Sequence, residues 1–140
     1  MLKTLDPRPL VYVSSPYTKG DPAINVRFQC EIFDMLLSDK VVLPIVPLWS
    51  HFQHIVFPRP YEDWLKYDLA IIPRCDAVLR LNSAFVDENI HYYQSESSGA
   101  DREIELALEK SIPVFYSVET LYDWVASINS VEESSESRME

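Results

Sequence analysis

Leu10-Val11-Tyr12-Val13-Ser14-Ser15-Pro16 begins the first strand–loop–helix unit of the chain, and reading it decides the fold. The run from Leu10 to Ser14 is apolar and stops at Ser-Ser-Pro, which predicts a short buried strand. A loop to Gly20 follows. Asp21-Pro22 then has the form of a helix start, with Asp as N-cap and Pro at the first helical position. Ile24, Phe28, Ile32 and Leu36 recur every four residues and predict one buried stripe on a helix reaching about residue 38. The same alternation continues. Val41-Val42-Leu43-Pro44 predicts a second strand, 61–73 a helix ended by Pro73, and 77–81 a third strand. Residues 100–110 predict a helix, Pro113-Val114-Phe115-Tyr116 a fourth strand, and 118–128 a last helix capped by Ser117. Strands alternating with helices imply an α/β fold with a parallel sheet and right-handed crossovers. The expectation is a Rossmann-like (flavodoxin-like) sheet of four to five strands flanked by helices.

The 140 residues suit one domain with a real core, taken here as 1–128. Residues 129–140 are Ser/Glu-rich with little apolar content and read as an acidic disordered tail. A net charge of −10 argues against a nucleic acid polymer as partner, because binding a polyanion needs a basic face. It leaves open a single nucleotide held on N–H and hydroxyl groups. No stretch approaches the roughly 20 apolar residues of a membrane span, and the polar, Pro-containing N-terminus is unlike a secretory signal. Cys30 and Cys75 make no metal or redox spacing and read as reduced thiols of a cytoplasmic protein.

Ligands of parallel sheets bind beyond the carboxyl ends of the strands. The unusual residues lie in the loops that follow the strands. Ser14 to Tyr17 follow the first, and Trp49 to His54 lie in a long aromatic, Pro-rich segment after the second. The third loop ends in Ser95-Glu96-Ser97-Ser98-Gly99-Ala100-Asp101-Arg102-Glu103, a small-residue stretch opening a helix with Glu103 expected in its first turn. Free backbone N–H groups, a positive dipole end and hydroxyls can hold a phosphate or sugar there. A carboxylate beside them can attack what is held.

Each residue also has a plainer reading. Glu103 falls at the edge of the stripe Ala100, Ile104, Ala107 and Leu108, where a first-turn Glu complements the helix dipole. Asp68 reads as a solvated helix residue, and Asp76 as a cap on the Cys75 turn. Tyr12 alternates with Val11 and Val13, which places it on the Ser14 face of the strand, ordinarily a core position. His51 and His54 have no third ligand at metal spacing. Trp49, Phe52 and Trp64 suit base stacking or aromatic core. With two glycines, Gly20 and Gly99, the chain has neither a P-loop nor a dinucleotide fingerprint.

Four pieces in order resemble the nucleoside 2-deoxyribosyltransferase-like superfamily across residues 10–116. They are Tyr12 with Ser14-Ser15-Pro16-Tyr17; Val42-Leu43-Pro44-Ile45 before the His-containing loop; Trp64-Leu65-x-x-Asp68 before Cys75-Asp76-Ala77-Val78; and Ser97-x-Gly99-Ala100-x-x-Glu103-x-x-x-Ala107 before Ile112-Pro113-Val114. The resemblance implies Glu103 as nucleophile at the sugar C1′, Asp68 holding the sugar and handling the proton, and Tyr12 orienting the nucleophile. Ser97 stands where transferases acting on free nucleosides carry Asp and hydrolases of nucleoside 5′-monophosphates carry Ser. The pattern is closest to small monophosphate N-glycosidase members. Substrate contacts are then expected from Ser14, Ser15, Tyr17, Trp49, His51, Trp64, Ser97, Ser98 and Gly99. Where the hydrolases have glycines in the first loop, this chain has Ser14, Ser15, Thr18 and Lys19. No metal or organic cofactor is implied. A small-molecule nucleotide or nucleoside is the expected partner, and a homodimer or higher homo-oligomer the expected assembly. Base exchange by a transferase and a non-catalytic nucleotide-binding module are the alternative functions.

Overall fold

The computed structural model describes residues 6–15, 21–81 and 98–139, and for Ser98 and 132–139 the backbone alone. Strands β1 (Leu10–Ser14), β2 (Leu43–Ile45), β3 (Ala77–Arg80) and β4 (Val114–Phe115) form one parallel sheet in the order β2-β1-β3-β4. Helices α1 (Pro22–Asp39), α2 (Ser50–Val56), α3 (Tyr61–Ile71), α4 (Ser98–Glu109) and α5 (Val118–Met139) complete a Rossmann-like α/β fold. The chain leaves β1 toward β2 on one side and later crosses to β3 on the other. Strand order therefore reverses between β1 and β3, the topological switch point at which ligands of such sheets generally bind.

Alternation along the central strands divides the core in two. Val11 and Val13 of β1, with Ala77 and Leu79 of β3, pack against Leu36 of α1 and Leu121 and Val125 of α5. Tyr12 and Val78 point the opposite way, onto Ile72 and Cys75 after α3 and Ala107 of α4. β1 starts where Asp76 holds it: Asp76 Oδ2 accepts from the Leu10 N–H at 2.8 Å, and the Asp76 N–H donates to the Leu10 carbonyl at 2.8 Å. On the α1/α5 side, the Tyr122 hydroxyl donates to Asp39 Oδ2 at 2.6 Å.

The buried face of α1 is rotated from the expected Ile24–Phe28–Ile32–Leu36 stripe. Asn25, Val26, Gln29 and Leu36 are its buried residues. Gln29 is 1% exposed and uses both ends of its amide. Nε2 donates to the Val13 carbonyl at 3.0 Å and to Ser15 Oγ at 2.9 Å, while Oε1 accepts from the Leu48 N–H at 3.1 Å. One side chain thus satisfies backbone at the end of β1 and in the 3-10 turn Pro47–Trp49. A buried carbonyl or N–H left open costs more than a made bond returns, and this holds α1 turned toward the sheet with a polar residue inward.

Three expectations are corrected. The 45–60 segment is not loop throughout, since it contains α2 and the preceding 3-10 turn. α5 continues through Met139, beyond the boundary expected at 128. No Pro or Gly follows Pro113 to break the helix. α4 begins at Ser98, two residues early, because Ser98 and Gly99 join the helix. With few glycines, Lys40 and Ser111 themselves take φ 59° just beyond α1 and α4, where a side chain costs roughly 1–2 kcal/mol. Among the described residues no helix is long and apolar enough to cross a membrane.

Replacing Gln29 by Leu leaves the Val13 carbonyl and the Leu48 N–H without a protein partner. This is expected to cost about 2–4 kcal/mol, read as a lower denaturation midpoint with an unchanged m-value. An unchanged midpoint would remove Gln29 as the tie between β1 and the 47–49 turn.

Candidate functional site

Tyr12 and Ser14 share the β1 face that looks toward α3 and α4, and Ser14 lies in register with Arg80 at the end of β3. α4 brings Glu103 to this point and α3 brings Asp68. Tyr12 and Ser14 are fully buried, and Glu103 is 8% exposed. Glu103 is the sixth residue of α4, so it lies in the second turn and not the first. The helix dipole is weak there, and its surroundings have to stabilise its charge.

Those surroundings are specific. Burial drives the Glu103 carboxyl up to about 8, and the Asp68 charge nearby adds to the rise. The Ser14 and Tyr12 hydroxyls and the Arg80 guanidinium pull the other way. Asp68, half-buried, is pushed up to about 7 by burial. Tyr12 is held well above its ordinary value by burial, then by the Glu103 and Asp68 carboxylates, and stays a neutral donor. Burial alone raises Asp68, while the Asp68 charge adds to the larger effect of burial on Glu103. The groups that favour an anion surround Glu103.

Tyr12 Oη, Ser14 Oγ and Glu103 Oε2 are buried without a hydrogen-bond partner. The two hydroxyls lie close enough to bias the carboxyl toward ionisation, yet no bond of full geometry closes on Oε2. Buried polar atoms are ordinarily paired, because an open one costs about 1–3 kcal/mol. The three lie in one polar cluster at the carboxyl end of β1, where a further polar group can pair with them.

The remaining expected contacts divide. Tyr17 and Ser97 lie outside the described residues, as does the Ser98 side chain, whose backbone begins α4. Ser15 is turned to α1, with its oxygen accepting from Gln29. Trp64 stands one turn before Asp68 on α3, and its Nε1 donates to His54 Nδ1 at 2.9 Å. Trp49 is half-exposed and packs on Phe33 of α1, ring centroids 4.7 Å apart, on the α1 side of the sheet. His51 is half-buried, edge-on to Phe52. Gly99 has a packing reason of its own, since a Cβ there would stand 2.6 Å from the Tyr61 hydroxyl. Glu62 and Arg102 join the same helix ends at 3.7 Å. Among the described residues no cluster of three or more His, Cys, Asp or Glu is placed to hold a metal ion.

Sequence reading missed Arg80. It is 6% exposed at the sheet end, where burial lowers its pKa and the nearby Asp101 and Glu103 carboxylates act against that. An Arg closing an apolar run was the available signal. No protein-family model, no curated protein and no solved structure matches the chain.

Raised carboxyl values make the site a stability cost at high pH. Above their ordinary values the unfolded chain releases protons that folded Asp68 and Glu103 retain. Stability contributed by these groups is therefore full at low pH and is lost as pH rises from about 4 through 7–8. The melting temperature is expected to fall over that window, and Glu103→Gln to raise it by several degrees at pH 8 and hardly at pH 4. Equal shifts at both pH values would show that Glu103 is not held protonated by burial. Arg80→Gln is expected to move the Glu103 titration further upward, measured by carboxyl carbon NMR.

Proposed function

We propose that the protein is an N-glycoside hydrolase acting on a (deoxy)nucleoside 5′-monophosphate. One observation carries the reading: a buried carboxyl with an open oxygen, Glu103 Oε2, is faced by two open hydroxyls and coupled to a second raised carboxyl, Asp68. Glycosidic cleavage uses two carboxyls in different protonation states. The motif order resembling the nucleoside 2-deoxyribosyltransferase-like superfamily, with Ser97 in the monophosphate pattern, supports the substrate class.

In the proposed reaction Glu103 Oε2 forms a bond to C1′ as the C1′–N bond breaks. Glu103 is raised further than Asp68, so the pair's one proton rests on Glu103 before reaction. It passes to Asp68 as Glu103 becomes the nucleophile, and Asp68 gives it to the departing base. Water then attacks C1′, its proton passes to Asp68, and Glu103 leaves as carboxylate. The sum is addition of water across one C–N bond. Tyr12 and Ser14 donate to Glu103 while it is an anion, and Arg80 offsets its charge. This stabilisation is largest where water is excluded. The N-terminal turn of α4 and its hydroxyl residues receive the phosphate.

The activity requires one proton on the carboxyl pair. The pH–rate profile is expected to peak at about 7–8, falling below as both groups are protonated and above as both ionise. Base release from a panel of nucleosides and their 5′-monophosphates, with and without an acceptor base, tests the assignment. Release from monophosphates is expected to fall by about 10³-fold or more in Glu103→Ala and by roughly 10²–10⁴-fold in Asp68→Asn. Release that survives Glu103→Ala, or no release from any substrate, would overturn it. Product nucleoside accumulating with the acceptor would make it a transferase.

A further inference from the structure

α3 carries Asp68 to the site, and its two ends are held differently. Toward the end, Leu69 and Ile71 pack against the cluster of Tyr12, Ile72 and Val78. In the middle, Leu65 is its one buried residue. The beginning depends on polar contacts. No side chain caps the N-terminus, where Pro60 stands. The Glu62–Arg102 pair is exposed and 3.7 Å long, which gives it little weight. His54 of α2 supplies the firmer hold. Its Nδ1 accepts from the Trp64 indole Nε1 at 2.9 Å and from the Arg59 N–H at 3.1 Å.

Both bonds act on the start of α3. Pro58 and Pro60 have no N–H and a fixed φ. The linker 58–60 is therefore stiff, and Arg59 is its one N–H donor. Trp64 ends the first turn of α3 and shares a face with Asp68, four residues on. A ring nitrogen that accepts carries no proton, so His54 is a neutral imidazole with its hydrogen on Nε2. α2 is turned to make this contact. Its apolar stripe, Phe52, Ile55 and Val56, is 54–65% exposed, while His54 lies on the partly covered side. The turn before α2 is tied to the body of the protein, with Gln29 Oε1 accepting from the Leu48 N–H at 3.1 Å and Trp49 packed on Phe33.

We propose that His54 is a positioning residue for Asp68: by pinning the Arg59 backbone and the Trp64 indole to one nitrogen, it fixes where α3 begins and so where Asp68 meets Tyr12 and Glu103. The inference rests on the proposed role of Asp68 in proton transfer. A misplacement of about 1 Å in such a group can cost on the order of 10²-fold in rate.

The test compares His54→Leu, which removes the acceptor, with His54→Asn, whose Oδ1 restores one close to the position of Nδ1. Carboxyl carbon NMR of the full chain without substrate follows Asp68. Burial holds this carboxyl up at about 7. A loosened α3 admits water, so Asp68 is expected to titrate at lower pH in His54→Leu and close to wild type in His54→Asn. Trp64→Phe removes the indole N–H from the other side and is expected to shift Asp68 in the same direction, which decides the matter should His54→Leu not fold. In base release from 5′-monophosphates, kcat is expected to fall about 10-fold or more in His54→Leu and to recover in His54→Asn, with KM changed by less than about threefold in both. An Asp68 titration unchanged in His54→Leu and Trp64→Phe would overturn the inference, as would a His54→Asn variant that behaves like His54→Leu. If wild type releases no base from any substrate, the proposed reaction falls, and the Asp68 titration alone then decides the role of His54.

Discussion

The burial of one carboxyl group, Glu103, organises the site. Water is replaced around it by the Tyr12 and Ser14 hydroxyls, the Arg80 guanidinium and the Asp68 carboxyl. None of these gives it the full set of bonds that water would, and Oε2 stays open. Burial without full pairing is unfavourable to the fold, so the rest of the structure has to hold it in place. The apolar contacts of Tyr12, Val78, Ile72 and Ala107 on this face do so. A site that destabilises its own fold is the usual consequence of arranging groups for a ligand.

The supports are as particular as the site. Asp76 fixes where β1 begins, and Gln29 fixes where it ends and how the following 3-10 turn meets it. Between these two polar anchors lie Tyr12 and Ser14. Their side chains face α4 because a strand alternates, and because Val11 and Val13 are claimed by α1 and α5. A one-residue slip would turn both hydroxyls away from Glu103.

The parts that were legible and those that were not differ in kind. The strand–helix alternation was visible because each strand is a short apolar run and each central helix has a stripe. Tyr12, Asp68 and Glu103 were singled out by a motif order that resembles a known family, and the structure brings the three into one neighbourhood. Gln29 and Arg80 were passed over because hydrophobic periodicity counts polar residues as outward, and both are buried. α2 was overlooked for the converse reason. Its stripe is real but faces away from its own core, and its proline-rich flanks resemble loop. The α5 boundary was drawn by composition, whereas the helix, with no Pro or Gly to interrupt it, runs on to Met139.

Local order alone determined the α/β class, the polar character of the loops after the strands, and an acidic chain with a carboxylate-free segment from 40 to 61. These are properties of residues and their near neighbours, and covalent sequence holds them. Only the tertiary structure decided that Glu103 is buried, that Asp68 is near enough to couple with it, and that Arg80 closes the group from β3. It also decided which way α2 faces. Desolvation and charge coupling depend on what surrounds a group in space. The chain supplies that surrounding from β1, α3, β3 and α4, elements that are far apart until the sheet brings them to one end.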